Sequence, residues 1–335
     1  MWENTYDSAF EIYSMAGQLD SALAICERRS RSIPTGANIT ATPHMSMCLR
    51  ARKKLPLIDF ARRPAKIPTA IPWILRNRGY FYLYEGNYPA ALDNFEQAIQ
   101  FARAQQDSSN AVFAMMHRAR LLTEMNRFDD AMKAYREVRD FSRSMYSTPV
   151  TPVDVIAAYG AGLTFFWQGD LSRAKKQALT IRRMVAGNGM DSLFNDYAYL
   201  LEAEIQLSVG DEAAAMESLD YVSNYSLNSP RRRLLESQVL AASGQLEQAV
   251  TVLRKASHNI VSRNSSQLGG DYFEYFYLRS FTPYLLGKFY QENGNVPLAI
   301  EYYKKAVEQW KHAAGDFPEL KDAKTQLAKL YGKGV

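Results

Sequence analysis

The chain has 335 residues, of which 47% are hydrophobic, and this is ample for a folded core. No apolar run approaches the roughly 20 residues of a membrane span. Two cysteines, Cys26 and Cys48, are too few for a disulfide framework or a zinc site. The first residues lack the basic start and apolar stretch of a signal peptide, so we expect a cytoplasmic protein or part of a larger one.

The first predicted element is a helix pair over residues 1–30. Its turn falls at Gly17, and Leu19, Ala22 and Cys26 follow at the spacing of one apolar helix face. Cys26 on this face is interpreted as a buried structural thiol.

Residues 31–70 form a basic, proline-rich insertion or a degenerate repeat unit. The formal net charge of the chain is +5, yet the stretch from Arg28 to Lys66 has ten basic residues against one acid, Asp59, and carries +9. Its prolines exclude long helices. The candidate contact residues here are basic: Arg50, Arg52, Lys53, Lys54, Arg62 and Arg63. They could touch an acidic protein, nucleic acid or a membrane surface, but the sequence favours a solvated connection.

After the insertion, the sequence contains a motif, or phrase, of small and aromatic residues that is repeated near the end of the chain. In residues 77–98 a small residue, Gly79, is followed by an aromatic residue, a turn glycine at Gly86, and then Ala91, Phe95 and Ala98. Residues 287–306 repeat this order around Gly294. The small residues let two helices approach closely, and the aromatic rings fill the space beside them.

Seven such turns are predicted along the chain, at residues 17, 86, 126, 169, 210, 244 and 294. Each is expected to join two helices, and because one helix pair cannot bury its own apolar face, neighbouring pairs must stack. Residues 318–331 form one more amphipathic helix with an apolar stripe, Leu320, Ala323, Leu327 and Leu330, which is typical of a cap. We therefore expect five to six repeats over residues 71–315 and a capping helix over 316–335.

This pattern resembles the tetratricopeptide repeat, a helix–turn–helix unit of about 34 residues. The resemblance implies an all-α, right-handed α-solenoid. It also implies that the first helix of each unit lines a concave face on which ligands lie. In that register the candidate partner-binding residues are Trp73, Arg76, Tyr80, Tyr84, Phe113, His117, Arg120, Tyr159, Phe166, Tyr197, Glu204, Tyr284 and Lys288. Aromatic residues and arginine are favoured at binding hot spots, but each aromatic could instead pack in the core.

No catalytic, metal or cofactor motif is found. The four histidines are isolated, and neither a phosphate-binding loop nor a nucleophile elbow is present. The insertion contains no nucleic-acid-binding module, so the sequence favours a protein or peptide partner over nucleic acid. We expect a non-enzymatic interaction scaffold that binds a peptide or helix on the concave face.

One alternative stays open. The phrase Gln309-Trp-Lys-His-Ala-Ala-Gly-Asp-Phe-Pro, which leads into the last helix, is similar to the terminal segment of repeat arrays in bacterial signalling proteins. That resemblance implies a regulatory module that binds a small ligand between aromatic-lined helices.

Overall fold

A computed structural model describes residues 71–145, 148, 150–190, 192–223, 229–258, 270–313 and 317–332. The predicted first helix pair, the insertion and its six basic residues, Arg50, Arg52, Lys53, Lys54, Arg62 and Arg63, lie outside these ranges. So do Gly17 and Cys26.

Within the described residues the chain folds into thirteen α-helices and one short 3-10 helix, Ser192–Asn195, with no β-strand. The helices are α1 Ile71–Tyr84, α2 Tyr88–Ala104, α3 Ser108–Glu124, α4 Phe128–Met145, α5 Pro152–Trp167, α6 Leu171–Gly187, α7 Asp196–Ser208, α8 Glu212–Asp220, α9 Pro230–Ala242, α10 Leu246–His258, α11 Gly270–Glu292, α12 Val296–Gln309 and α13 Pro318–Gly332.

All six predicted turns that fall in the described ranges are confirmed. Each has one residue with positive φ, an asparagine at residue 126 (φ 57°) and glycines at 86, 169, 210, 244 and 294 (φ 71° to 78°). The next backbone N–H donates to a carbonyl five residues back, as from Asn87 to Tyr82 (2.8 Å) and from Asn295 to Tyr290 (2.8 Å). This is the closing bond of a Schellman motif, which ends one helix before the next begins.

Consecutive helices pack against each other from α4 to α13. Contacts join the two helices of each pair, α5 with α6, α7 with α8, α9 with α10, and α11 with α12, and they also join each pair to the next. The last helix, α13, packs on α12, which is the position predicted for a cap. The all-α helical-repeat architecture predicted from the sequence is therefore confirmed for the described part of the chain.

The small residues of the repeated phrase face the aromatic residues, as predicted. A Cβ atom on Gly287 would lie 2.8 Å from the ring of Tyr303, and one on Gly79 would collide with the ring of Phe95. Both rings are fully buried. The glycines are therefore required by close helix contact.

The chain divides into two compact units. Of the described residues, one unit contains residues 71–77 and Gln97–Ala111, and the other contains Arg78–Glu96 and those from Val112 onward. The cavity and the ion-pair network described below lie wholly in the second unit.

The turn glycines provide a first test. Gly244 has a φ of 77° and no neighbour within 4 Å of an added Cβ, so Gly244→Ala introduces backbone strain alone. We expect this change to lower the free energy of unfolding by about 1 kcal/mol. Gly187, at the end of α6, has equally open surroundings without positive φ, so Gly187→Ala is expected to raise it by about 0.4–1 kcal/mol. Urea unfolding followed by circular dichroism would compare the two, and effects of the same sign would contradict the assignment.

Candidate functional site

A cavity of about 70 Å³ lies in the second unit, and four of the predicted partner-binding residues line it: His117, Arg120, Tyr159 and Tyr197. They come from α3, α5 and α7, the first helices of three consecutive pairs. The remaining lining residues are Met116, Tyr135, Ile156, Gly160, Leu200, Ser229, Arg231, Phe273 and Glu274. The predicted register thus brings residues from three repeats to one place.

The first half of α11 lies directly against these residues. The rings of Tyr80 and Phe276 stack with centroids 5.5 Å apart and an interplanar angle of 7°. The rings of His117 and Phe273 stack in the same way, at 5.9 Å and 18°. Tyr80 and His117 are themselves joined by a hydrogen bond of 3.0 Å between the hydroxyl and Nδ1. A helix from the same chain therefore covers part of the predicted binding surface.

A buried network of ion pairs runs along the same surface. Arg120 pairs with Glu124, one turn later on α3, and its Nε also donates to Glu274 on α11 over 3.2 Å. Arg231 on α9 pairs with Glu204 on α7, and its Nη1 lies 3.9 Å from the second oxygen of Glu274. Two guanidinium groups thus meet three carboxylates, so the cluster carries a net charge of −1. The guanidinium of Arg120 also lies over the rings of Phe273 and Tyr277, 5.7 and 5.8 Å from their centroids.

Two tyrosine hydroxyls border the cavity beside this network. Burial raises the pKa of Tyr135 and of Tyr159 to about 12, although nearby Arg120 and Arg231, respectively, act in the opposite direction. Both hydroxyls are consequently neutral at physiological pH and can donate or accept a hydrogen bond. The two hydroxyls therefore add neutral polar groups to a wall that contains aromatic, aliphatic and charged side chains.

Other predicted residues lie away from the cavity. Tyr284 is buried and its hydroxyl donates to Asp322 of α13 over 2.7 Å, while the Lys288 ammonium lies 5.8 Å from the centroid of the Tyr284 ring. The backbone carbonyl of Tyr84 accepts hydrogen bonds from Ser280 (3.0 Å) and Gln309 (3.3 Å). These residues join the last repeat to its neighbours.

The remaining candidates have mixed surroundings. In the first unit, Arg76 donates to Asn110 over 2.8 Å. Phe113 and Phe166 are partly exposed, and Phe166 packs edge-on to the exposed ring of Trp167. The side chain of Trp73 lies outside the described residues.

Four residues at the site are not among the predicted ones: Arg231 of α9 and, from α11, Phe273, Glu274 and Phe276. The length of α11 is the signal that marks its three residues: it has 23 residues, whereas the other described helices have 9 to 18. A repeat helix of the usual length would not include the first three turns of α11.

The described residues contain neither a metal-binding cluster nor a membrane-spanning helix. Nowhere in them do three or more histidine, cysteine, aspartate or glutamate side chains gather in a way that could hold a metal ion. In the same ranges no helix is both long and apolar enough to cross a membrane.

Comparison with protein families agrees with the geometry. Two tetratricopeptide repeat models match the chain. One covers residues 70–144, which contain α1 to α3 and nearly all of α4, and the other covers residues 284–309, which contain the second part of α11 and α12. No curated protein matches the chain. Both matches fall on helix pairs joined by a turn residue with positive φ, so these two parts of the chain are identified as tetratricopeptide repeats.

Proposed function

We propose that this chain is a non-catalytic interaction scaffold that binds a peptide or helix of a protein partner beside the cavity. Tetratricopeptide repeats generally mediate protein–protein interaction. The observation that carries the proposal is the seating of α11, whose Phe273 and Phe276 stack on His117 and Tyr80. A surface that accepts one helix through aromatic stacking has the chemistry to accept another.

The composition of the surface supports the same proposal. Buried aromatic and arginine side chains are enriched among residues that dominate binding energy. At the rim, Tyr197 is partly exposed and its ring lies 5.2 Å from that of Tyr159. Because Tyr197 lines the cavity, a side chain that enters the cavity can contact its ring.

The alternative, a regulatory module for a small ligand, has less support. Pockets for drug-sized ligands have volumes of about 300–1,000 Å³. The cavity at this site has about 70 Å³, which suits one side chain or a few water molecules. A peptide that inserts one residue and lies along the rim fits this volume better.

The test is a selection of displayed helical peptides on the full chain, followed by affinity measurements with two tyrosine variants. Tyr197→Ala is expected to weaken the selected peptides at least tenfold, because it removes an aromatic contact at the rim. Tyr221, which is 59% exposed at the end of α8, is the matched control, and Tyr221→Ala should leave the affinity unchanged. Equal binding to both variants would place peptide recognition elsewhere on the chain.

A further inference from the structure

We propose that residues 270–278, the first part of α11 and here called the α11 extension, are a displaceable occupant of the binding surface. We further propose that the partner is a helix that repeats the aromatic–acidic pattern of this extension. The inference rests on the proposed function, since it names the partner chemistry and the regulation of the same surface.

The α11 extension lies outside the repeat unit to which its helix belongs. The family match begins at residue 284, directly after Pro283, which lies inside α11. A proline inside a helix has no N–H to donate to the carbonyl four residues back, and this weakens the helix at that point. Pro283 therefore weakens the backbone of α11 between the extension and the matched part of the repeat.

The extension is a helix that contacts the binding surface through two of its aromatic rings and one of its carboxylates. Phe273 and Phe276 are 1% and 7% exposed, and they lie three positions apart on one helix face. Glu274 lies between Arg120 and Arg231, which come from two different repeats. Together these residues define the pattern that a competing helix must present: an aromatic residue, an acid next to it, and a second aromatic residue three positions after the first.

The fit of the extension is incomplete, which leaves room for a better occupant. Without Glu274 the receptor side is balanced, because Arg120 is paired with Glu124 and Arg231 with Glu204. Glu274 adds an excess negative charge, and its buried Oε2 accepts no hydrogen bond from the described residues. A buried carboxylate oxygen without a donor costs free energy. The adjoining cavity is also not filled by the extension. A partner helix that adds a hydrogen-bond donor near this oxygen, or a side chain in the cavity, would therefore compete.

The first experiment supplies the extension as a separate molecule. A fluorescent peptide with the sequence of residues 270–283 is titrated into the intact chain and into the full chain with Phe273→Ala and Phe276→Ala. We expect the peptide to bind the variant at least tenfold more tightly than the intact chain, because the variant's own extension no longer competes. A control peptide with Glu274→Lys should bind the variant at least tenfold more weakly than the unchanged peptide. Equal affinity for both proteins would overturn the proposal.

The second experiment needs no substitution. Hydrogen exchange of the intact chain should be at least tenfold faster in residues 273–278 than in residues 285–291 of the same helix. A peptide selected on the surface, at saturation, should speed exchange in the extension further. Equal hydrogen exchange along α11 would overturn the proposal. A stable dimer in which two copies swap their extensions would also overturn it. If a Tyr197-dependent peptide binds and leaves exchange in the extension unchanged, this inference fails while the proposed function stands. If no selected peptide depends on Tyr197, the proposed function fails.

Discussion

Trp310→Ala is expected to lower the free energy of unfolding by about 3–5 kcal/mol, the range for removing a large buried aromatic side chain. Trp310 follows α12 and is fully buried. Its ring contacts the rings of Phe281 and Phe317 at centroid distances of 5.4 and 4.9 Å, and its Nε1 donates to the hydroxyl of Ser280 over 2.8 Å. A Cβ on Gly86, at the turn after α1, would lie 3.0 Å from the Trp310 ring. One side chain thus packs against the last repeat, the start of the cap and the first described turn.

The matched control is a tryptophan at the end of α5. Trp167 is 46% exposed, so Trp167→Ala should change the free energy of unfolding by less than about 1 kcal/mol. Urea unfolding followed by circular dichroism measures both variants. A loss below about 1 kcal/mol for Trp310→Ala as well would show that the packing of the last repeat against residues 78–96 adds little to stability.

The repeat architecture could be predicted from the sequence because its determinants are local. A turn residue with positive φ, a small residue and an aromatic residue are set by spacing within some twenty positions, and all six predicted turns in the described ranges are confirmed. Gly287 and Tyr303 are such a pair, because they lie on two successive helices that one turn joins. These contacts follow from local steric constraints and do not depend on distant segments of the chain.

The candidate site could be predicted only in part, because its other half comes from far along the chain. His117, Arg120, Tyr159 and Tyr197, which the register assigns to the concave face, line one cavity in the structure, and their contact with a partner stays a prediction. The register could not show that Glu274, 154 positions after Arg120, would contact that arginine. A repeat pattern describes how neighbours stack and contains no information about a long-range contact of this kind.

Arg120 illustrates the consequence for interpretation. It is one of the predicted partner contacts because arginine is favoured at binding hot spots. In the structure Arg120 is buried and its partners are Glu124 and Glu274. An Arg120→Ala variant would therefore lose stability, which makes the partly exposed Tyr197 the better position for a binding test.

A second large loss of stability is expected when only one member of a buried ion pair is removed. Arg231→Met leaves the carboxylate of Glu204 buried without its pair, and we expect a loss of about 3–5 kcal/mol in the free energy of unfolding. The side chains of Arg231 and Glu204 are only 5% and 8% exposed, so water cannot replace the missing charge. Glu274 loses one neighbour of opposite charge at the same time.

Removing both partners should recover much of this loss. The double variant Arg231→Met with Glu204→Leu takes away one charge of each sign, so the cluster keeps its net charge of −1 and no new unpaired charge is buried. Replacing a buried pair by apolar side chains is often close to neutral, and a double-mutant cycle by urea unfolding would give the coupling. The exposed pair Lys305 and Glu301, with side chains 53% and 52% exposed, is the control, and Lys305→Met should cost less than about 1 kcal/mol. If the double variant lost as much as the sum of its single variants, Arg231 and Glu204 would not be coupled, and the surface beneath the α11 extension would be stabilised by its aromatic contacts alone.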